Sequence, residues 1–339
     1  MTGHNQQPRL LVYVGGDRLG DALFKLPAIT TLRSLFPGYR ITWIAGLNES
    51  IFCGALSPLV SGAIDEIIDN VELGASWWEL FGPAPLHGRH YHTIIDTQTI
   101  IRKTLCLRRI SHDVFVSAAA SFMFSDRVPD ERDNVFISVQ ERLLQLFNLA
   151  SGKQTKPDQT LPLPPPYRTM ARELLPAGPV YVGLAPGAGD RRRCWPLSGY
   201  IEIARQQQKM GRIPVFFLGP KEEDMQSRIV SELTDVLLPE QEAIRDVHGQ
   251  HGPLLSLALA ERIHVGVAND SGPGHILAAA GRPLVSLFGP SNPDKFFGAS
   301  ERRVLIRSQD FGGNAMQDIP VRAVQDAIER LVYRFHSGH

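Results

Sequence analysis

Two carboxylates lie in a glycine-rich turn near the start of the chain. The segment GGDRLGDALFKLPA, residues 15–28, follows the apolar run LLVYV, and a strand, a glycine turn and a helix in this order are typical of phosphate binding. Gly15 and Gly20 have the spacing of a Walker A loop, yet Asp21 occupies the position of its lysine. A carboxylate repels a diphosphate but can take a proton from a hydroxyl group. We therefore predict a general base here, with Asp21 preferred over Asp17, and Gly20 beside the bound acceptor.

A second polar turn, VANDSGPGH at residues 267–275, follows an apolar strand and opens a helix. Exposed backbone amides and the positive end of the helix dipole favour an anion at such a helix start. We predict that Asp270, Ser271, Gly272 and His275 bind an anionic group of a substrate. The alternative is that the Asp and the Ser only cap the helix, which is a common role for both residue types.

Three consecutive arginines follow another glycine turn, in APGAGDRRRCWP at residues 185–196. Gly187 and Gly189 allow a ligand to approach the backbone, and guanidinium groups match the geometry of phosphate oxygens. We predict a diphosphate site in this turn. For at least one of the three arginines, a place in a solvated basic loop is the better interpretation.

Other polar residues follow two further strands. Glu222 or Glu223, after the strand IPVFFLGP, is placed to bind ribose hydroxyls, although a charged first helical turn explains either residue as well. Asp96, Gln98 and Arg102 follow the strand YHTIID in the N-terminal half. We predict that these three residues contact the acceptor.

Alternating strands and helices must position these turns. The strands RLLVYVGG, RITWIAG, IDEIIDN and YHTIIDTQ, with DVFVSA as a further candidate, precede a proline-rich break, and the pattern then restarts. A single amphipathic helix is expected over Asp21–Phe36, and an extended linker over QTKPDQTLPLPPPYR. Two Rossmann-like domains with parallel sheets facing across a cleft follow from this order. The expected boundaries are 1–160 and 178–320 for the two domains, 161–177 for the linker and 321–339 for a final helix, whose packing on the N-terminal domain is left open.

Composition excludes several classes of protein. Lys+Arg and Asp+Glu number 35 each, so no overall charge recruits nucleic acid. The three cysteines fit neither a disulfide framework nor a metal site, and no histidine pair or acidic cluster suggests a metal. No signal peptide and no membrane span are expected. We expect a cytoplasmic, metal-independent monomer without a cofactor, and peripheral contact with the inner membrane is left open.

Four blocks in order resemble glycosyltransferase family nine, the ADP-heptose:lipopolysaccharide heptosyltransferases. They are LGDALFKLPAITTLRSLFPGYRITWIAG, YHTIIDTQTIIRK, GLAPGAGDRRRCWP and GVANDSGPGHILAAAGRPLVSLFGPSNP. The last block is the most specific of them. The resemblance implies a GT-B fold with the acceptor on the N-terminal domain and the nucleotide-sugar on the C-terminal domain. It also implies inverting transfer without a metal ion, commonly from an ADP-activated heptose.

The resemblance also implies roles for individual residues. Asp21 matches the family's proposed catalytic base, and Arg193 falls where relatives often have a lysine that neutralises the donor phosphates. The turn at 270–275 matches the donor-binding turn. Ala188 and Gly189 replace residues whose hydroxyls often contact phosphate, so here the backbone amides must serve.

The resulting hypothesis is a heptosyltransferase of lipopolysaccharide core synthesis that acts on a glycan or glycolipid acceptor. A GT-B sugar-nucleotide epimerase and a non-catalytic nucleotide-sugar-binding protein are the alternatives. The cations Arg102, Lys103, Arg108 and Arg109 are candidates for contact with anionic core sugars. We favour a solvated helix face as the interpretation for most of them.

Overall fold

The computed structural model describes residues 7–130, 138–157, 160–219, 222–240, 252–289 and 302–336. The chain divides into two compact units, Met1–Pro162 and Leu163–His339. Each unit is built on a five-stranded sheet whose described strand pairs are all parallel. Among the described residues, no helix has the length and apolar character needed to cross a membrane.

The sheet of the first unit has the order β3-β2-β1-β4-β5. Its strands are β1 (Arg9–Gly16), β2 (Arg40–Leu47), β3 (Glu66–Ile68), β4 (His90–Asp96) and β5 (Ser111–Ser117). The central strand β1 is completely buried from Leu10 to Val14, as expected for a strand covered on both faces. All five strands predicted for this half of the chain are present.

The helices of the first unit are α1 (Leu19–Ile29), α2 (Leu32–Leu35), α3 (Ser57–Val60), α4 (Ile101–Arg108) and α5 (Val139–Ser151). The single helix expected over Asp21–Phe36 is therefore wrong. Thr30 and Thr31 keep helical backbone dihedrals, but the Thr31 N–H donates to the carbonyl of Ala28, three residues back, so the α-helical hydrogen-bond ladder is interrupted there. Pro27 has no N–H for the helical ladder, and the hydroxyls of Thr30 and Thr31 bond back to the carbonyls of Pro27 and Ala28.

The sheet of the second unit has the order β10-β9-β8-β6-β7. Its strands are β6 (Tyr181–Ala185), β7 (Ile213–Phe216), β8 (Val265–Asn269), β9 (Leu284–Phe288) and β10 (Arg303–Arg307). The apolar runs PVYVGLAPGAG, IPVFFLGP, HVGVAND and RPLVSLFGP predict the first four of these strands. The strand β10 is not predicted, because this edge strand begins and ends with arginine and buries few of its side chains.

The helices of the second unit are α6 (Pro165–Leu174), α7 (Leu197–Lys209), α8 (Glu223–Glu232), α9 (Gly252–Ala260), α10 (Gly272–Ala279) and α11 (Val321–His336). The segment expected to be a linker thus contains α6. Its first two residues are prolines, which the first helical turn accepts because the N–H groups there have no helical partner. The final helix α11 packs on the second sheet, and its Val324 and Ile328 share a core with Val285 and Leu287.

The strand order marks where each sheet can bind a ligand. In the first unit, successive strands extend away from β1 on one side and from β4 on the other. In the second unit, the order reverses between β6 and β8. Ligands of open α/β sheets bind beyond the carboxyl ends of the strands at such a reversal. The turns after β1, β4, β6 and β8 are therefore the places for chemistry, and they contain most of the residues singled out by the sequence.

Candidate functional site

The two carboxylates of the first turn have different environments. Asp17 is buried, and its Oδ1 lies 2.6 Å from Lys25 Nζ. Its Oδ2 accepts hydrogen bonds from Trp43 Nε1 at 2.8 Å and from Ser50 Oγ at 2.9 Å. Lys25 also donates to the Gly16 carbonyl. Asp17 therefore joins the turn to α1 through Lys25, to β2 through Trp43 and to the loop after β2 through Ser50, which is a structural role.

Asp21 lies in the first turn of α1, and its side chain is exposed. Gly20 precedes it and is half-buried. The helix begins at Leu19, two residues earlier than predicted, so Asp21 is its third residue and still lies in the first turn, where the helix dipole favours a negative charge. An exposed carboxylate at this position can accept a proton from a bound hydroxyl group.

The turn after β4 lies against the first turn. A Cβ atom built on Gly15 would lie 2.9 Å from Gln98 Oε1, so the glutamine amide covers this glycine. The Thr97 N–H and hydroxyl both donate to the Tyr13 carbonyl, at 3.1 and 2.9 Å. The structure thus brings Gln98 beside the turn that contains Asp21, as its predicted role in acceptor binding requires.

Asp96 supports the same turn from inside the protein. It has no exposed surface, and its carboxylate accepts hydrogen bonds from Gln98 N at 2.8 Å, Thr104 Oγ1 at 2.6 Å and Ser117 Oγ at 2.9 Å. Burial raises the pKa of Asp96 to about 6, against these hydrogen bonds, which favour the ionised form. The predicted contact between Asp96 and the acceptor is wrong, because this side chain has no surface that a ligand can reach, and the geometry makes Asp96 a residue that positions Gln98.

The basic residues on α4 and at its C-terminal end contact neighbouring groups of the protein. The interpretation of these residues as a helix face that only contacts water is therefore incomplete. Arg102 Nε donates to the Gly74 carbonyl at 2.6 Å, and Lys103 is buried with its Nζ 3.5 Å from Glu72. Arg109 donates to two backbone carbonyls of the loop before β4. These side chains fasten that loop along the helix.

In the second unit, the arginines after β6 point to different partners. They occupy a single 3-10 turn, Arg191–Arg193, and the Asp190 carboxylate caps this turn by accepting from the Arg192 N–H. Arg191 and Arg192 are almost fully exposed and pair with nearby acidic residues. Arg193 is half-exposed and lies 3.6 Å from Asp270 Oδ2, in the turn after β8. The arginine predicted to meet the donor is thus the one that reaches the second polar turn.

The turn after β8 places a buried carboxylate between two cationic or donor groups. Asp270 is 7% exposed, with Arg193 Nη1 at 3.6 Å from one oxygen and His275 Nε2 at 3.9 Å from the other. Ser271 Oγ caps α10 by accepting from the Gly274 N–H at 3.4 Å. Capping therefore explains Ser271, whereas Asp270 orients a guanidinium and an imidazole at the helix start that begins with Gly272. This arrangement suits a bound anion.

Asn269 is a positioning residue that the sequence analysis does not single out. Its Oδ1 accepts from Trp195 N at 3.0 Å and from Tyr200 Oη at 3.0 Å, and its Nδ2 donates to the Pro186 carbonyl at 2.7 Å. The side chain is buried. It therefore ties the turn after β6 to the end of β8. A polar residue that ends a wholly apolar strand is the signal that could have identified it.

Glu222 lies at the same edge of the second sheet. Cβ atoms built on Gly187 and Gly219 would each lie 2.6 Å from an oxygen of the Glu222 carboxylate. Both glycines are therefore needed for this carboxylate to lie against the turn after β6. Gly187 is buried, Ala188 is half-buried, and nothing lies within 4 Å of the Cβ position of the exposed Gly189. The side chain of Glu223 lies outside the described part of the structure.

Within the described residues, one cluster has the composition of a metal site, and it lies elsewhere. His90, His92 and Asp113 meet at the amino ends of β4 and β5, opposite the carboxyl ends where the polar turns lie. His92 Nδ1 accepts a hydrogen bond from the Arg9 N–H at 3.1 Å, so its neutral ring carries the proton on Nε2. That ring then offers no free lone pair, and we assign no metal to the cluster.

Comparisons with known proteins show the family to which the chain belongs. The family model for glycosyltransferase family 9 (heptosyltransferase) matches residues 84–320. Lipopolysaccharide heptosyltransferase 1 of Escherichia coli O18:K1:H7 is 23% identical and covers 92% of this chain and 94% of its own length. Lipopolysaccharide heptosyltransferase 2 of Salmonella typhimurium is 36% identical over 129 residues, and this match spans 36% of that relative.

Solved structures show the same fold. The heptosyltransferase WaaC of E. coli with ADP superimposes with a TM-score of 0.65 at 21% identity, covering 97% of this chain and 99% of that one. A family 9 glycosyl transferase from Veillonella parvula DSM 2008 gives a TM-score of 0.68 at 19% identity and covers 96% and 97% of the two chains. The chain therefore belongs to glycosyltransferase family 9, the heptosyltransferase family, and is a glycosyltransferase of the GT-B fold with two Rossmann-like domains.

Proposed function

We propose that this enzyme transfers a heptose from ADP-heptose to a saccharide hydroxyl of the lipopolysaccharide core. The observation that carries the proposal is a separation of charge between the units. The reversal point of the first sheet exposes a carboxylate, Asp21, while that of the second has Arg193 and His275 around Asp270 at a helix start. The names of the relatives, heptosyltransferases of lipopolysaccharide, support the substrate class, and WaaC was solved with ADP.

The donor diphosphate has a suitable place in the second unit. Gly189 is exposed with nothing within 4 Å of its Cβ position, and the half-buried Ala188 has only a methyl side chain, so this turn has room for a ligand beside its backbone. Arg193 supplies a guanidinium, which binds phosphate oxygens in pairs. The carboxylate of Glu222, at the neighbouring strand end, is suited to hydrogen bonds with ribose hydroxyls. Together these groups favour a nucleoside diphosphate sugar as the ligand.

The proposed mechanism is a direct displacement with inversion. Asp21 takes the proton of the acceptor hydroxyl while its oxygen forms a bond to the anomeric carbon. The bond from that carbon to the diphosphate oxygen breaks on the opposite face, and ADP leaves with the bonding electrons. Arg193, His275 and the amides at the start of α10 stabilise the negative charge that grows on the diphosphate. In this proposal they do the work that a metal ion does in other transferases, and no cofactor takes part.

The acceptor side of the proposal rests on the first unit. Gln98 lies over Gly15, next to the turn of Asp21, and its amide can both donate to and accept from sugar hydroxyls. We propose a glycolipid of the lipopolysaccharide inner core as the acceptor. The enzyme would then act as a monomer in the cytoplasm, at the inner surface of the membrane.

Incubation with ADP-heptose and a lipopolysaccharide acceptor that lacks heptose tests the proposal. We expect the acceptor to gain the mass of one heptose while ADP is released. Conversion of ADP-heptose to another sugar nucleotide without any acceptor would indicate an epimerase. Nucleotide-sugar binding with no transfer to any acceptor would indicate a binding protein. A larger rise in melting temperature with a UDP-sugar or a GDP-sugar than with ADP-heptose would overturn the proposed donor.

A further inference from the structure

The loop between β3 and β4 exposes three aromatic side chains in one turn. Trp77, Trp78 and Phe81 lie on a 3-10 helix, Trp77–Phe81, and are 55%, 81% and 80% exposed. The rings of Trp78 and Phe81 lie 6.1 Å apart. We call this segment the aromatic turn. Water contact with so much adjacent apolar surface is costly, so a cluster of this kind marks a site of interaction.

The aromatic turn is rigidly held, so its exposure is not that of a frayed loop. Ser76 and Glu79 form a capping box, and the Glu79 carboxylate also accepts from the Gly74 N–H at 2.7 Å. The pKa of Glu79 is lowered, mainly because its carboxylate accepts a hydrogen bond from the Ser76 backbone N–H. Arg109 donates to the carbonyls of Glu79 and Gly82. The backbone is thus fixed while the rings project into solvent.

Positive charge accompanies the aromatic turn. The helix α4 and its C-cap contain Arg102, Lys103, Arg108 and Arg109, and Ile101–Arg108 contains no acidic residue. Lys103 and Arg108 pair with carboxylates, whereas Arg102 and Arg109 donate to backbone carbonyls, which do not neutralise them. Two guanidinium charges therefore remain along α4, the helix beside which the aromatic turn lies, and Glu79 partly offsets them.

We infer that the aromatic turn docks on a bilayer that contains anionic phospholipids. Tryptophan and phenylalanine insert at the level of the lipid headgroups, and arginine pairs with their phosphates, each contributing to reversible binding at a membrane surface. The inference rests on the proposed function in one respect, because an enzyme with a glycolipid acceptor must work at a membrane. It adds the surface that makes the contact.

The position of the aromatic turn within the first unit supports this inference. The segment 74–82 runs along α4, with Gly74 at its start, beside Arg102, and Gly82 at its end, beside Arg109. The same helix follows the turn that contains Gln98. Docking would therefore hold the predicted acceptor-binding turn at a fixed height above the lipid that anchors the acceptor.

Binding to vesicles without any substrate tests the inference. We expect the parent protein to sediment with vesicles of phosphatidylethanolamine and phosphatidylglycerol, with a blue shift of its tryptophan fluorescence, and to sediment far less with phosphatidylcholine vesicles. The double variant Trp78→Ala/Phe81→Ala should lose at least about tenfold in affinity, since it removes most of the inserted apolar surface. Tyr333→Ala, which removes an equally exposed ring from α11, should bind as the parent does.

Several outcomes would overturn the inference. The parent protein could fail to bind these vesicles, or the double variant could bind them as well as the parent does. A third such outcome is that the parent self-associates and the double variant does not. Transfer to a deacylated, water-soluble acceptor separates this inference from the proposed function. Transfer without vesicle binding would contradict the docking surface alone, whereas vesicle binding without transfer would contradict the proposed function alone. Unchanged melting temperatures of the variants establish that the fold is intact.

Discussion

Lys25 Nζ lies 2.6 Å from Asp17 Oδ1, and both side chains are buried beneath the turn that exposes Asp21. The turn therefore contains two carboxylates with different roles. One is enclosed and holds the backbone, and the other is open to a substrate. This difference in exposure is the structural reason to prefer Asp21 over Asp17 as the general base. The sequence supports the same preference only indirectly, because Asp21 occupies the position at which a Walker A loop has its lysine.

Replacement of Lys25 by methionine should destabilise the protein strongly. Asp17 would keep its hydrogen bonds from Trp43 and Ser50 but lose its counter-charge in a buried site. A broken buried ion pair of this kind costs about 3–5 kcal/mol of unfolding free energy, measurable by urea unfolding. The double variant Asp17→Asn/Lys25→Met should recover part of that loss. Arg322→Met, which breaks an exposed pair with Asp326, should cost under about 1 kcal/mol. Equal losses in the two methionine variants would contradict the structural role.

Asn269→Ala should lower both the unfolding free energy and the affinity for the donor nucleotide. The variant leaves the buried Trp195 N–H and Pro186 carbonyl without their side-chain partner, at a cost of about 1–3 kcal/mol for each group. The turn after β6 would also lose its attachment to β8, so ADP affinity measured by calorimetry should fall. Tyr200→Phe removes one hydrogen bond to the same amide and keeps both backbone contacts, so it should retain ADP affinity. Unchanged ADP affinity in Asn269→Ala would show that the amide does not position this turn.

Arg193 and Arg192 form a matched pair for the donor site. Arg193→Ala should weaken binding of ADP-heptose by about tenfold or more, because a charge-assisted contact to phosphate is worth about 1.5–3 kcal/mol. Arg192→Ala, next to it in the same 3-10 turn, should have little effect, since that side chain is 85% exposed and pairs with Asp190. Arg193→Lys should retain part of the affinity. Similar losses from both alanine variants would indicate a diffuse basic loop in place of a specific contact.

Stability should depend on pH through Asp96. Burial raises the pKa of this carboxyl from 3.8 to about 6, so the folded protein holds its proton more tightly than the unfolded chain does. Its stabilising contribution is therefore full below the unfolded pKa and is lost as the pH rises through about 6. Relative to Asp96→Asn, the unfolding free energy of the parent should fall by up to about 3 kcal/mol between about pH 4 and about pH 7. A difference that stays constant across this range would contradict this account.

Local patterns predict the strands and the turns of this protein well. Short apolar runs separated by helical segments identify nine of the ten strands in the described part of the chain, and Ser271 caps α10, which is the alternative that the sequence analysis gives to anion binding. The prolines at the start of α6 are ambiguous, because the same residues begin helices and interrupt them.

The roles of individual polar residues depend on partners that are distant in the sequence. Asp17 is buried by Trp43 and Ser50, which lie 26 and 33 positions further along the chain. Asn269 binds a backbone N–H 74 positions away. Neither relationship has a local signature, so the sequence identifies which turns contain polar groups but not which groups are enclosed. Asp96 illustrates the same limit, since its place at a strand end suggested contact with the acceptor.

The transfer rate of Asp21→Asn tests the central claim most directly. We predict that this variant binds ADP-heptose as the parent does and unfolds at the same temperature, because Asp21 is exposed and lies in the unit without the donor turns. Its rate of heptose transfer should fall by about 10²–10⁴-fold, the contribution of a general base. Turnover near that of the parent, with donor binding intact, would remove Asp21 from this role and contradict the proposed mechanism.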